Sequence, residues 1–466
     1  MSVSTATHQK SSTPPPNAER PPGPPPRRGG LHSLGYFWRF ASDPLGFVEQ
    51  RFERYGDIYY APSDGQGLFV LRHPDHIREV LALRSSKFRK QHSAMRRLSQ
   101  VLGQGLLTAD GEAWKRHRTM IQPAFHRARL SSYAALMVEQ TERAIADWKD
   151  GEVRDIGREM VDLTLQVVSR ALFSHDAGGQ TDTVASAMTT LNTVMGRPDL
   201  LPRWMPSPMR ARVRRVVGQL DGLVYDLIDQ RREAVARGGA RGHDDLLQSL
   251  VVAVDEQGGG GLSRKEVRDE LVTLLLAGHE TTSHALSWTW LLLSRNPGHR
   301  QQLHDELDQV LQGRVPAFDD LPALPLSERV LKESMRLFPP AFVLARRAVE
   351  DTQIGGYAVP AGSEVIIWTR MTHRDARFYP APEVFDPDRF TPQAEAARPK
   401  MSYLPFGGGP RACIGAQFSL VEARLVLATI ARRFELDLLP GQRVREKPGV
   451  TLAPRGALRM RLRRRA

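Results

Sequence analysis

The sequence Phe406-Gly407-Gly408-Gly409-Pro410-Arg411-Ala412-Cys413-Ile414-Gly415 contains the only cysteine of a chain of 466 residues. Apolar residues recur at helical spacing from 414 to 428, so the pattern predicts a helix that begins directly after this glycine-rich loop. A thiol at the start of a helix feels the positive end of the helix dipole, and Arg411 adds a cation two residues before Cys413. Both effects favour the thiolate form. The glycines leave the backbone open to close approach by a flat ligand.

A single free cysteine is most often a small buried hydrophobic residue. Here, however, five fixed positions form the pattern F-x-x-G-x-R-x-C-x-G, filled by Phe406, Gly409, Arg411, Cys413 and Gly415. This pattern resembles the haem-binding loop of the cytochrome P450 family. The resemblance implies a haem b cofactor whose iron is bound by the Cys413 thiolate, with Phe406, Arg411 and Gly415 beside the haem.

The composition is that of an ordinary globular protein, with 41% hydrophobic and 25% charged residues. One cysteine excludes an internal disulfide framework and fits a reducing cytoplasm. The sequence has no apolar run of about 18 or more residues and no apolar signal core near its start. We therefore expect a cytoplasmic protein without a membrane-spanning segment. By resemblance it is a bacterial type, since membrane-bound relatives carry an N-terminal anchor helix.

The chain is strongly basic, with a formal net charge of +13 and a pI of about 10.1. Such a charge makes nucleic acid one candidate partner. The basic residues are spread along the chain, however, with one cluster at 459–465, and no nucleic-acid recognition motif accompanies them. We therefore expect no nucleic acid partner. The charge suits an acidic protein partner, with solubility alone as the alternative.

Proline and apolar periodicity mark the organisation of the chain. Residues 1–30 are proline-rich and predict a disordered tail, and residues 31–466 predict one catalytic domain. The proline-rich apolar linker 197–206 is interpreted as a substrate lid, a lipid-touching patch or a loop packed on the core. The predicted strands are 58–61 and 68–71, which form a hairpin, 356–362 and 364–368, which form a small sheet, and 450–452. The predicted helices are 73–83, 111–126, 131–149, 153–174, 183–196, 208–237 and 263–296.

The long predicted helix 263–296 contains the stretch Ala277-Gly278-His279-Glu280-Thr281-Thr282. Small residues at 277 and 278 leave room for a flat cofactor, and a carboxylate next to a hydroxyl forms a short proton relay. An ordinary helix with exposed polar residues is the alternative, but the stretch resembles the oxygen-activation motif of the family. The resemblance implies that Ala277 and Gly278 lie beside the haem. It also implies that Glu280 and Thr281 deliver protons to dioxygen.

Three arginines and a tryptophan are predicted to hold the haem propionates. Trp114 and Arg118 stand four residues apart and share one helix face, a spacing also common in surface cation–π pairs. The family pattern W-x-x-x-R matches them, and the resemblance assigns both, together with Arg346 and Arg411, to the propionates. Arginine suits a carboxylate because it stays charged and donates through a planar fork.

Further family positions are structural or line the pocket. Glu333 and Arg336 stand three residues apart on one helix face, a spacing shared with many ordinary helical salt bridges. The resemblance assigns both, with Arg389, to a buried charge network on the haem side. The resemblance assigns the substrate pocket to Phe342, Val343, Leu344 and Thr451.

The resemblance implies a single, mainly α-helical domain with small β-sheets. It implies a monooxygenase that inserts one oxygen atom from O2 into an apolar substrate, by hydroxylation or epoxidation. No flavin or iron–sulfur segment is expected, so electrons should come from a separate ferredoxin or flavodoxin with its NAD(P)H-dependent reductase. The basic residues Lys115, Arg116, Arg127 and Arg129 form either a docking site for an acidic donor or an ordinary solvated face.

Three other functions fit the same scaffold: a peroxide-driven peroxygenase, a haem-thiolate isomerase or dehydratase, and a non-enzymatic haem sensor. The Glu280–Thr281 pair disfavours the first two, since neither needs a proton relay. No output domain or DNA-binding element supports the sensor. No motif identifies the substrate. By resemblance, the amino-acid sequence of the haem loop slightly favours fatty acids over terpenoids, steroids and polyketides.

Overall fold

The computed structural model of the protein describes residues 19–25, 31–62, 67–176, 181–196, 204–237, 245–255 and 261–465. The α-helices are α1 (Leu31–Ser42), α2 (Pro44–Tyr55), α3 (Pro74–Arg78), α4 (Ser93–Leu102), α5 (Gly111–Ile121), α6 (Arg127–Ala144), α7 (Ile156–Phe173), α8 (Thr181–Gly196), α9 (Pro208–Ala236), α10 (Leu246–Asp255), α11 (Arg264–Arg295), α12 (Pro297–Leu311), α13 (Pro325–Leu337), α14 (Thr369–His373), α15 (Pro392–Ala397) and α16 (Ala416–Ala431). A π-helical turn covers Glu79–Leu83, and 3-10 turns cover Ser85–Lys87, Gln122–Phe125, Phe318–Ala323, Pro387–Phe390 and Gly409–Arg411.

The strands are short and belong to small sheets. They are β1 (Ile58–Ala61), β2 (Leu68–Leu71), β3 (Phe88–Arg89), β4 (Val153–Asp155), β5 (Leu344–Ala348), β6 (Thr352–Ile354), β7 (Tyr357–Val359), β8 (Glu364–Ile367), β9 (Phe434–Leu438), β10 (Glu446–Pro448), β11 (Leu452–Pro454) and β12 (Arg459–Arg464). Their sheet orders are β1-β2-β8-β5-β3, β4-β12-β9, β6-β7 and β10-β11. The predicted mainly helical fold with small sheets is therefore confirmed.

The 32-residue helix α11 is the centre of the helical part. It begins at a capping box, in which the side chains of Ser263 and Glu266 satisfy each other's backbone N–H groups, and it ends directly before Pro297. Helices α7, α9, α13 and α16 pack around it, so its side chains are buried on almost every face. A helix enclosed in this way holds its functional residues in fixed positions.

Strand pairing agrees with one sequence prediction and corrects another. The predicted hairpin is β1 and β2, with Ile58 opposite Leu71. The prediction that 356–362 and 364–368 form one sheet is wrong. Strand β7 pairs with β6 across a tight turn, whereas β8 lies parallel to β2 and antiparallel to β5. Strands β2 and β8 lie about 300 residues apart, so no local pattern could identify their pairing.

The basic cluster at 459–465 is the strand β12 and the residue after it, a strand that the sequence analysis did not predict. Met460 and Leu462 are buried between the exposed Arg459, Arg461 and Arg463. Arg463 pairs with Glu435 at 2.8 Å, and Arg465 pairs with Asp308 at 2.6 Å. The arginines therefore form the outer face of a sheet, partly neutralised by acidic neighbours.

Several predicted boundaries differ from those of the structure. The predicted helix 131–149 begins earlier and ends earlier, as α6, and residues 153–155 form β4 instead of the first turn of α7. Pro123 lies in a 3-10 turn that follows α5, so the predicted helix 111–126 ends at Ile121. Helices α1, α2, α10, α12, α14 and α15 were not predicted.

Part of the predicted tail contacts the domain. The N–H of Tyr60 donates to the carbonyl oxygen of Pro22 at 2.9 Å. A Cβ atom at Gly23 would lie 1.8 Å from the carbonyl oxygen of Tyr60, so the chain lies flat against β1 at this point. Residues 1–18 and 26–30 of the predicted tail, and 197–203 of the predicted lid, lie outside the described residues.

The buried apolar side chains form one large cluster around α6, α7, α11 and α16 and two smaller clusters around the five-stranded sheet. In the described ranges, no helix combines the length and the apolar character that a membrane span requires. The cysteine loop connects the five-stranded sheet side to α16, so it lies between the two parts of the core.

Candidate active site

Glycines shape the loop that carries Cys413. Gly409 has a φ of +69°, and a Cβ atom there would lie 1.8 Å from the carbonyl oxygen of Leu81 in the π-helical turn. Only glycine fits this position, because both the backbone conformation and the lack of space exclude a side chain. The N–H of Cys413 donates to the carbonyl oxygen of Phe406 at 2.9 Å, which closes the loop just before α16 begins.

A water molecule can contact the side chain of Cys413. Beyond this first contact, protein atoms surround the side chain on nearly every side. This burial raises the pKa of the Cys413 thiol, while the N–H of Gly415 and the cations Lys90 and Arg118 act in the opposite direction. Without a bound metal ion, burial therefore outweighs the effect of the neighbouring cations. A bound metal ion would deprotonate the thiol directly.

Arg118, Arg411 and Trp114 lie together beside the cysteine loop. A guanidinium N–H of Arg118 donates to the carbonyl oxygen of Ala412 at 3.1 Å. The guanidinium carbon of Arg411 lies 3.8 Å from the centre of the Trp114 ring. Arg411 also donates to the carbonyl oxygen of Ala109 at 3.0 Å and forms an ion pair with Asp110. Arg411 therefore braces the loop against α5.

Two further cations belong to this cluster, and one of them was not predicted. Burial and the nearby Arg411 lower the pKa of Arg346 to about 10. Burial is the main cause that lowers the pKa of Lys90 to about 7, and the positive charges of Arg346 and Arg411 add to it. The Lys90 side chain is nevertheless partly accessible to water. Among the described residues, no carboxylate lies within ion-pair distance of Arg346 or Lys90. This excess of positive charge fits a ligand with two carboxylates, such as a haem with its propionates.

His92 lies near the same cations and was also missed. Burial lowers the pKa of His92 to about 4, with Arg346 and Lys90 acting in the same direction and Glu364 against it. Its Nδ1 atom is buried and has no hydrogen-bond partner in the described part of the chain. Lys90 and His92 carry no spacing motif; only the basic character of residues 89–97 could have indicated them.

In the middle of α11, the stretch from Ala277 to Thr281 contains positions that are open. Ala277 is exposed and Thr281 is half-buried, whereas most of the helix is buried. The Thr281 hydroxyl donates to the Ala277 carbonyl oxygen at 2.9 Å. At Gly278, a Cβ atom would lie 3.2 Å from Val168, so this glycine allows α11 to pack closely on α7. The position of Gly278 beside a haem stays a prediction.

Glu280 is buried and points away from Thr281. Burial raises the pKa of Glu280 to about 7, while a hydrogen bond with the Thr451 side chain and the charge of Lys447 lower it. The Thr451 hydroxyl oxygen also lies 3.1 Å from Nδ1 of His284. Adjacent residues on a helix point about 100° apart, so the predicted acid–alcohol pair takes two separate sets of partners.

A second buried carboxyl group lies where α11 meets α16. The hydroxyl oxygens of Thr282 and Ser419 are 2.8 Å apart. Glu422 is fully buried, and burial raises its pKa well above the ordinary value, with Thr282 opposing the shift. Neither carboxyl oxygen has a hydrogen bond of good geometry within the described residues. The sequence could have indicated Glu422, because it places a carboxylate on the apolar face of a predicted helix.

The predicted pocket residues divide into two groups. Phe342 is a core residue, with its ring edge-on to that of Trp368 at 5.9 Å between centroids, instead of lining open space. Val343 and Leu344 are half-buried, and Leu344 would be 3.8 Å from a Cβ at Gly407, so it reaches the cysteine loop. Thr451 is buried beside α11.

The structure brings Glu333, Arg336 and Arg389 together. Arg336 and Glu333 are both fully buried and form two parallel hydrogen bonds of 2.7 and 2.8 Å. Nε of Arg389 lies 3.5 Å from the Glu333 carboxylate, which also accepts the N–H of Asp386 at 2.9 Å. Arg336 donates further to the carbonyl oxygens of His373, Pro382 and Val384. The pair thus ties α13 to the segment 382–389.

The predicted docking face is partly neutralised. Lys115 pairs with Glu112 at 2.7 Å, and Arg116 pairs with Glu266. The guanidinium group of Arg127 lies over the ring of Phe318. The structure therefore supplies a basic surface whose charges have intramolecular partners at several positions.

Comparisons with known proteins agree with this geometry. The sequence model of the family "Cytochrome P450" matches residues 21–458. Over 439 residues the chain is 37% identical to cyclooctatin synthase of Streptomyces melanosporofaciens, covering 93% of this chain and 94% of that protein. It is 32% identical to pentalenene oxygenase of Streptomyces avermitilis over 439 residues, 93% of this chain and 96% of that protein. The crystal structure of the cytochrome P450DA heme domain superposes with a TM-score of 0.82 at 28% identity, over 96% of this chain and 98% of that one.

Proposed function

Because the chain belongs to the cytochrome P450 family, and is a P450 monooxygenase, we propose that it hydroxylates a cyclic terpenoid. In this proposal haem b is bound at Cys413. A ferredoxin or flavodoxin and its NAD(P)H-dependent reductase deliver the electrons.

The observation that carries this proposal is the charge pattern around Cys413. The sulfur of Cys413 lies within electrostatic range of Lys90 and Arg118, and Lys90 lies within the same range of Arg346. Cysteine sulfur suits iron, and cations without their own carboxylates suit propionates. We assign Cys413 to the iron and Lys90, Arg118 and Arg346 to the propionate side, with Trp114 and Arg411, which is paired with Asp110, beside them. When bound, haem would supply the activation of O2, to which a thiolate ligand contributes electron density.

The protein's own contribution to the reaction is proton supply and exclusion of water. A carboxyl group with a pKa of about 7 both gains and loses a proton readily near neutral pH, and Glu280 meets this condition. The Thr281 hydroxyl lies at an open position of α11. We assign Glu280 and Thr281 to proton supply at separate points of α11, Glu280 as a buried acid that gains and loses a proton near neutral pH and Thr281 as the hydroxyl that donates to the reacting oxygen.

The substrate class rests on the relatives and on the apolar lining. Two relatives are named cyclooctatin synthase and pentalenene oxygenase, and the half-buried Val343 and Leu344 offer apolar contacts near the cysteine loop. The amino-acid sequence of the haem loop favoured fatty acids. We give more weight to the relatives, because they match 93% of the chain. A cyclic terpenoid hydrocarbon or its alcohol is therefore the proposed substrate.

Spectroscopy of the purified holoprotein tests the proposal in two steps. The reduced protein with carbon monoxide should show the strongly red-shifted Soret band of thiolate ligation, and the Cys413→Ser variant should lack it. Titration with cyclic terpenoids should then shift the haem spin state, whereas straight-chain fatty acids should not. A histidine-type band would overturn the site assignment. A spin-state shift with fatty acids alone would overturn the substrate class.

A further inference from the structure

Asp110 lies where three segments of the chain meet beside the cysteine loop. It is the residue directly before α5, and its side chain is only 4% exposed. The carboxylate accepts the N–H of Lys90, the residue after β3, at 2.7 Å, and the N–H of Gly111 at 2.9 Å. It also forms an ion pair with Arg411. One carboxylate therefore joins the end of β3, the start of α5 and the loop that carries Cys413.

The guanidinium group of Arg411 has a fixed place in this arrangement. Its carbon atom lies 3.8 Å from the centre of the Trp114 ring, and one of its N–H groups donates to the carbonyl oxygen of Ala109 at 3.0 Å. The ion pair with Asp110 is the third contact. Because a hydrogen bond between two charged groups is stronger than one to a neutral group, Asp110 is the main group that holds Arg411 in place.

Asp110 also determines the balance of fixed charge beside the cysteine loop. The cations there are Lys90, Arg118, Arg346 and Arg411. In the part of the chain that the structure describes, Asp110 is the only carboxylate within ion-pair distance of any of these four groups. The charge of Arg411 is therefore largely offset, whereas the other three cations keep their positive charge for a ligand.

We propose that Asp110 is a positioning residue for Arg411 and that, through this ion pair, it controls the positive charge that a bound haem experiences. The inference rests on the proposed binding of haem at Cys413. Reduction adds one negative charge to the haem, so a nearby carboxylate opposes reduction and a nearby cation favours it. Asp110 should therefore keep the reduction potential of the haem low.

The test compares Asp110→Asn with the unsubstituted holoprotein in a spectroelectrochemical titration of the haem. Asparagine begins a helix as well as aspartate does, so α5 should form. It carries no charge, and its NH2 group cannot accept a hydrogen bond, so the contact with Arg411 is weakened. Asp110→Asn should raise the ratio of reduced to oxidised haem at a fixed potential by about tenfold, a positive shift of about 59 mV for one electron.

The matched control is Glu112→Gln, two positions further along the chain. Glu112 pairs with Lys115 at 2.7 Å, and its side chain is 87% exposed. This substitution changes the net charge of the protein by the same amount, but water and salt screen the charge of an exposed group. The haem potential of Glu112→Gln should therefore stay close to that of the unsubstituted protein. Asp110→Glu retains the charge and should shift the potential much less than Asp110→Asn.

The other outcomes have distinct meanings. An unchanged or lower potential in Asp110→Asn would overturn the proposal. An equal shift in Glu112→Gln would do the same, because the effect would then come from the net charge of the whole protein. If the reduced unsubstituted protein with carbon monoxide lacks the band of thiolate ligation, the proposed haem site at Cys413 has failed, whatever the Asp110 variants show.

A second variant covers the case in which Asp110→Asn does not bind haem. Serine also begins helices well, so Asp110→Ser should retain α5. It removes the charge, and its side chain is too short to reach Arg411. Asp110→Ser should therefore give the same upward shift of the potential, and an unshifted potential in this variant would overturn the proposal.

Discussion

At the scale of single residues, Thr281 offers the most direct test of proton supply. Its hydroxyl is bonded only to the helix carbonyl of Ala277 among the described residues, and alanine is a better helix former than threonine. Thr281→Ala should therefore fold normally but lower the product formed per NADPH by about tenfold, with release of peroxide. Thr281→Ser is the matched control. An unchanged stoichiometry of NADPH, peroxide and product would contradict the assigned role.

Glu422 should respond to pH in the opposite way from an ion-paired carboxylate. Its pKa is raised well above the ordinary 4.5, so folding must keep it protonated when the unfolded chain would ionise it. Stability is therefore lost as the pH rises above the ordinary value. Glu422→Gln should raise the melting temperature over that of the unsubstituted protein at about pH 8 and have little effect at about pH 5.

The control for this prediction is Glu53→Gln, at an exposed position, which should leave the melting temperature unchanged at both pH values. A Glu422→Gln protein that melts lower at the higher pH would show that Glu422 is ionised and stabilised by a partner.

Motif spacing found residues that are close in sequence and missed those that meet through the fold. Cys413 and the Glu280–Thr281 stretch lie within short patterns, so the sequence alone indicated them. Lys90 and His284 reach their partners through contacts between segments more than 100 residues apart. The direction in which Glu280 points also depended on such a contact, with Thr451, and therefore could not be predicted.

At the scale of elements, α5 is joined to α11 by a buried charge cluster. Nδ1 of His117 lies 2.6 Å from Oε1 of Glu270, at an angle outside good hydrogen-bond geometry, and Nε2 lies 3.4 Å from Glu266. Burial lowers the pKa of His117, but the two carboxylates outweigh it and raise the pKa overall. Glu270 also accepts the N–H of Leu106 at 3.0 Å. Protonated His117 therefore secures the helix that carries Trp114 and Arg118.

The sign of the pH dependence follows from this raised pKa. The stabilisation is fully present below the ordinary pKa of 6.5 and is lost as the pH rises through the higher folded value. His117→Gln should lower the free energy of unfolding by about 3 kcal/mol at about pH 6 and by clearly less at about pH 9. Denaturant unfolding at the two pH values measures this, with His126→Gln, at an exposed position, as control. An equal loss at both values would mean that packing, not charge, carries the effect.

Sequence periodicity predicted the existence of most long helices and failed at their ends and at strand partners. The capping box at Ser263 and Pro297 fixed the limits of α11 well, because both act locally. The alternation of arginine with Met460 and Leu462 is a strand pattern. The sequence analysis interpreted these residues only as a basic cluster. Pairing of β8 with β2 depends on residues about 300 positions apart, which no local pattern records.

At the scale of the whole molecule, the net charge of +13 should influence the encounter with an electron donor. An acidic ferredoxin would be attracted over roughly a Debye length, about 10 Å at moderate salt. The second-order rate of haem reduction by such a donor should therefore fall as salt is added, which stopped-flow measurements can follow. Binding of an uncharged substrate over the same salt series is the control. A rate that is insensitive to salt would contradict electrostatic docking.

The small sheet β4-β12-β9 has a consequence for how the protein is made. Its middle strand, β12, pairs Arg459 with Asp155, and these two residues lie about 300 positions apart. On a ribosome, β4 emerges early and has no neighbour until β12 has been synthesised, at about 5–20 residues per second. For that interval α7, which follows β4 directly, must fold without the edge on which it finally rests. Exposure to chaperones and proteases should therefore be greatest during translation, before the last sheet closes.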